Sequence, residues 1–90
     1  EKMNVMTRHA QTRMQQRGFS EELIKAIINF GREYFRKGVM VYLADKNCIK
    51  KLTEFGYKKD FCEKCKGRYI VVSHGGQILT VAHKSNAFRT

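Results

Sequence analysis

The sequence predicts a single α+β domain, with one antiparallel sheet and helices packed on one of its faces. Three observations predict it. Two segments near the N-terminus repeat apolar residues at helical spacing behind capping residues. Two later stretches switch to β-branched and aromatic residues on either side of tight-turn signals. Ninety residues suffice for one hydrophobic core, so residues 1–90 are read as one domain.

The elements follow in order. Thr7 caps a short helix through about Arg17, closed by Gly18. Ser20 caps a second helix, with Glu21 and Glu22 in the first turn, where the helix dipole favours acids. Leu23, Ile24, Ile27, Ile28 and Phe30 share its core-facing side, and Gly31 ends it. From Arg32 the period changes: REYFRKGVMVYLAD reads as a hairpin with strands near 32–36 and 39–44. Asp45 caps a helix over 46–55, with Ile49, Leu52 and Phe55 on one side and Lys46, Lys50 and Lys51 on another. Gly56 ends that helix, and YKKDFCEKCKG at 57–67 reads as a long basic loop. RYIVVS and QILTVAH then form a second hairpin around His-Gly-Gly. The expected order is α-α-β-β-α-β-β. The expected core is Leu23, Ile24, Ile27, Ile28, Val41, Leu43, Ile49, Leu52, Ile70, Val72, Leu79 and Val81.

Charge dominates the composition. Eighteen Lys and Arg against eight Asp and Glu give +10. The last segment, 68–90, carries Arg68, Lys84 and Arg89 and no acid. Such a balance attracts polyanions, of which nucleic acid is the commonest. No apolar run approaches the ~18 residues that cross a bilayer, and the N-terminus lacks the apolar core of a secretory leader. No membrane partner is expected. Three cysteines, Cys48, Cys62 and Cys65, are an odd number for a disulfide framework and fit a reducing compartment, the cytoplasm. Zinc would need four donors; CEKC supplies two, and only Cys48 and His74 could complete the set. The favoured reading of Cys62 and Cys65 is two exposed loop thiols without a role, and no metal or cofactor is expected.

Two constellations could carry chemistry. In RHAQTRMQQRG, His9, Arg13 and Arg17 recur every four residues and form one helical ridge beside Met6, Ala10 and Met14. An imidazole next to guanidiniums suits a phosphodiester: the forks hold phosphate oxygens, and the ring moves a proton near neutral pH. A solvated basic face carrying an incidental histidine has the same spacing. At the other end, a strand over Gln77–His83 would put Leu79, Val81 and His83 on its buried face, with Lys84 adjoining. A packing histidine at a strand end would look the same.

P-loop, G-x-G-x-x-G, H-E-x-x-H and G-x-S-x-G motifs are absent from the sequence. Its acids are too sparse for a two-metal nuclease. Cleavage would therefore fall on RNA, with the 2′-hydroxyl as internal nucleophile.

RHAQTRMQQRGFSEE resembles the opening signature H-A-x-x-R-M-x-x-R-G-[IF]-S-x-E of a small bacterial domain family of unknown function, related to the BrnT and RelE toxins. YIVVSHGGQILTVAHK resembles that family's closing hairpin, and the likeness spans roughly residues 7–90, excepting the CEKC segment. The resemblance implies a compact RelE/BrnT-like fold and metal-independent ribonuclease activity. It would make the chain a toxin acting on RNA in the cytoplasm of its own or a target cell, held by an acidic antitoxin or immunity protein. A basic nucleic-acid-binding module without catalysis is the alternative. The family's basic positions fall on His9, Arg13, Arg17, His83 and Lys84. The expected site sets His9 and His83 close together, one removing the 2′-hydroxyl proton and the other protonating the leaving oxygen. Arg13, Arg17 and Lys84 would offset the developing charge. Arg89, Ser73, Lys50 and Lys51 are expected as substrate contacts.

Overall fold

The computed structural model describes residues 6–84. Helices α1 (Arg8–Gln16) and α2 (Glu21–Phe30) precede the hairpin β1 (Arg32–Arg36) and β2 (Val39–Leu43). Helices α3 (Lys46–Glu54) and α4 (Lys59–Cys65) then lead to β3 (Arg68–Val72) and β4 (Ile78–His83). The strands form one antiparallel meander in the order β1-β2-β3-β4.

Local chemistry accounts for most of these boundaries. Thr7, Ser20 and Asp45 each accept a hydrogen bond from a backbone N–H three residues on, satisfying a donor the first helical turn leaves unpaired. At the β1–β2 turn, Lys37 and Gly38 both adopt positive φ, the backbone whose twist suits a two-residue hairpin.

The sheet's two faces differ. Ile70, Val72, Ile78 and Val81 meet residues from all four helices in one cluster that includes Ala10, Leu23, Ile24, Ile27, Cys48 and Leu52. Val41, Leu43 and Ala82 are buried outside that cluster. Register puts Val41 opposite Val71, and Leu43 opposite Tyr69, on the side away from Ile70 because side chains alternate along a strand.

Several sequence expectations are corrected. Residues 57–67 contain α4 rather than a continuous loop. Phe61, Cys62 and Cys65 carry its inward side, and both thiols are buried rather than exposed. The helix has no side-chain cap at Lys58, so the usual start signal is missing from its sequence. In β4, a register shift at Val71/Val72 pairs Val72 with Ile78 and Val71 with Thr80. Leu79 is the extra residue of that bulge. Ile78 and Val81 consequently share the core, Leu79 is half-buried, and His83 is exposed rather than closing a buried face. Ile28 and Ile49 pack against the core while remaining half-buried. Phe55, at the C-cap of α3, is 73% exposed.

Candidate nucleic-acid interface

Helix α1 rides along β4. Met6 bridges Ile78 in parallel. The Thr7 N–H donates to the Ile78 carbonyl at 3.0 Å, and its hydroxyl donates to the Leu79 carbonyl at 3.2 Å. At the helix's other end, the Arg68 guanidinium donates to the Arg17 carbonyl at 2.9 Å and lies 4.7 Å from the centre of the Phe19 ring. Arg68 pairs with His83 across the β3–β4 ladder. Both ends of the contact therefore run the same way. His9 lies two residues beyond the Leu79 anchor, whereas the Arg17 backbone reaches the His83 end.

That geometry revises the two-histidine arrangement. From Leu79 to His83 the strand rises about 13 Å at its usual ~3.3 Å per residue, so His9 and His83 occupy opposite ends of β4. Both are exposed, and Arg13 is half-buried between them. Ser73 also lies away from His83: its hydroxyl accepts from the Gln77 N–H at 3.0 Å and closes the β3–β4 turn. Lys50 and Lys51 are exposed on α3. Arg89 falls outside the described residues.

At the His83 end the chain builds a basic cleft of about 210 Å³, lined by Lys46, Lys66, Gly67 and Lys84, with Leu43, Ala44 and Asp45. Gly67 organises it. Its N–H donates to the Ala44 carbonyl at 3.1 Å, and its carbonyl accepts from the Lys84 N–H. One residue thus ties the end of β2, the start of β3 and the end of β4 together. Gly67 has φ +78°, and a Cβ there would sit 3.6 Å from Cε1 of His83. The imidazole therefore stands beside Gly67, next to the cleft but not among its lining residues, with Nδ1 3.3 Å from the Lys84 carbonyl oxygen. Asp45 is the one acid of the lining, and its carboxylate accepts from the Cys48 N–H at 3.0 Å. The structure thus joins the expected His83 and Lys84 to two lysines that sequence reasoning did not single out, Lys46 and Lys66. A signal for Lys66 existed, since it lies two residues ahead of a strand whose start must pair with the end of β4.

The three thiols serve the core. Burial, reinforced by Cys65 and Asp45, pushes the Cys48 thiol up to about 12; burial and Cys62 push Cys65 up to about 11, against the pull of Arg68. Among the described residues no three His, Cys, Asp or Glu side chains converge as metal donors, so Cys48, Cys62, Cys65 and His74 do not assemble the zinc set considered above. Raised thiol values imply alkaline instability. Above pH ~9 the unfolded chain releases protons that the folded chain retains, so stability falls as pH rises toward 11–12. The urea midpoint should therefore drop between pH 8 and pH 10.5. A Cys48→Ala, Cys65→Ala variant should lose less of its own midpoint over that interval; an equal loss would refute the thiol origin.

The family described as Domain of unknown function (DUF4258) matches residues 6–81. No curated protein and no solved structure matches the chain. Among the described residues, no helix is long and apolar enough to cross a membrane.

Proposed function

The chain belongs to the DUF4258 family, and from that premise we propose that it is an RNA-directed domain: a metal-independent endoribonuclease that holds a phosphodiester in the basic cleft. The observation that carries this reading is that Lys46, Lys66 and Lys84 line one cleft, with the His83 imidazole beside its Gly67. Three ammonium groups there bind a phosphate as point charges and offset the charge that develops on its oxygens. His83 takes the 2′-hydroxyl proton, and the alkoxide attacks the adjacent phosphorus. The bond to the 5′-oxygen breaks, a cleft ammonium returns a proton to that oxygen, and a 2′,3′-cyclic phosphate remains. Arg17 and Arg68 extend the positive field at this end. His9 and Arg13, farther along β4, contact the flanking strand.

Kinship with the BrnT and RelE toxins belongs to the same proposal, as does the acidic antitoxin or immunity protein that would neutralise a +10 chain. Its RNA target puts the activity in the cytoplasm of its own or a target cell.

The test is RNA binding and integrity in EDTA-containing buffer across a salt series. The parent chain should bind single-stranded RNA with steep salt dependence and cleave it. A Lys46→Gln, Lys66→Gln, Lys84→Gln variant should lower the log–log salt slope by about two, from ~0.7 per phosphate contact. Salt-sensitive binding with intact RNA would establish the binding-module alternative. An unchanged slope would remove the cleft from the interface.

A further inference from the structure

Four aromatic rings form a row that reaches the C-terminal end of α3. Phe30, at the end of α2, lies 4.8 Å from Phe55 at a 60° tilt and 6.3 Å from Tyr57, which stacks on Phe61 at 5.1 Å. Three of these rings are half-buried and pack against the core. Phe55 does not: it is 73% exposed. Its backbone is nevertheless held, because the Phe55 N–H donates to the Lys51 carbonyl at 2.9 Å and the next N–H to the Thr53 carbonyl at 3.0 Å. The ring is therefore presented by a fixed helix end.

The sequence flanking this ring is basic. Lys50, Lys51, Lys58 and Lys59 lie between positions 50 and 61, against Glu54 and Asp60. A second cleft, of about 180 Å³, adjoins the row and is lined by Phe30, Arg32, Asn47 and Lys51. The lysine cleft takes Asp45 and Lys46 at the start of α3, Phe55 caps the end of that helix, and Asp45 also lines the second cleft. Nine helical residues separate the two ends by about 13 Å at 1.5 Å per residue. At ~3.4 Å per stacked nucleotide that is room for about four.

We propose that Phe55 is a base-stacking platform for single-stranded RNA, with Lys51 and Arg32 on the backbone of the same strand. This rests on the RNA reading above and adds a subsite to it. The argument is charge complementarity joined to an exposed ring: sites for unpaired nucleic acid combine cationic tracks with aromatic faces, and the cleft adjoining this aromatic row carries Arg32 and Lys51.

The chain contains no tryptophan, so Phe55→Trp installs a unique fluorophore at the platform. Titration of that full-length variant with a 12-nucleotide oligouridylate should quench its emission, whereas tripolyphosphate and duplex RNA should not. Phe55→Ala should weaken the oligonucleotide by about 5- to 150-fold, the usual worth of one stacked base, without altering the salt slope; Phe55→Tyr should restore binding. Lys51→Ala should lower the slope by ~0.7. Oligonucleotide binding by anisotropy without quenching, and without an effect of Phe55→Ala, overturns the platform and leaves the lysine cleft standing. Absence of RNA binding at low salt overturns both. A Phe55→Ala change in sedimentation rather than RNA affinity assigns the surface to a second copy and overturns the platform alone.

Discussion

Replacing His83 by alanine is expected to slow RNA cleavage by about 10²–10⁴-fold, the contribution of a positioned proton-transfer group. The ring is exposed and stands beside Gly67 of the cleft, so its removal should leave the fold intact and the melting transition nearly unchanged. Cleavage should be followed on a labelled single-stranded substrate in EDTA, with binding measured separately, because the lysines of the cleft remain. His9→Ala is the matched control. It lies at the other end of β4, on the flanking RNA, so its loss should weaken binding while leaving the cleavage rate of bound substrate nearly unchanged. Full activity in the folded His83→Ala variant would remove this histidine from the reaction. An equal loss in His9→Ala would instead move the chemistry to the start of α1.

The second large effect concerns stability. Ile70 is fully buried, paired in register with Tyr42 and Val81, and belongs to the cluster shared with α2. Truncating it to alanine removes three methyl or methylene carbons from a site walled by sheet and helix, which cannot collapse freely. The expected cost is about 2–5 kcal/mol, a large share of the roughly 4–14 kcal/mol available to a domain of this size. Thermal unfolding should shift down by roughly 10–30 °C, and Ile70→Val by much less. Lys25→Ala, on the exposed side of α2, should stay within about 0.5 kcal/mol of the parent. A small effect at Ile70 would mean that the sheet and α2 do not share one core.

Much of the architecture was legible in the sequence because its causes are local. Caps at Thr7, Ser20 and Asp45, the helical spacing of Leu23, Ile24 and Ile27, and the Lys37-Gly38 turn each act within a few residues. They sufficed for α1, α2, α3, both hairpins and the single antiparallel sheet. Helix α4 was not legible. Lys58 supplies no side-chain cap, and Cys62 and Cys65 read as exposed loop thiols until tertiary burial makes them core residues. The β4 bulge was equally hidden, since alternation alone assigns Leu79 inward, and only pairing with β3 reverses it to bury Ile78.

For the candidate site the division is sharper. Residue type and position in the sequence singled out His83 and Lys84, and the hairpin's register accounts for Arg68 opposite them. The tertiary structure decided which residues join them. Lys46, Lys66 and Lys84 meet because Gly67 hydrogen-bonds to both Ala44 and Lys84, contacts between segments that no local rule relates. It also decided that His9 stands apart. The anchors at Ile78, Leu79 and Arg68 orient α1 parallel to β4, so an imidazole early in the helix falls at the opposite end of the strand from one at its close.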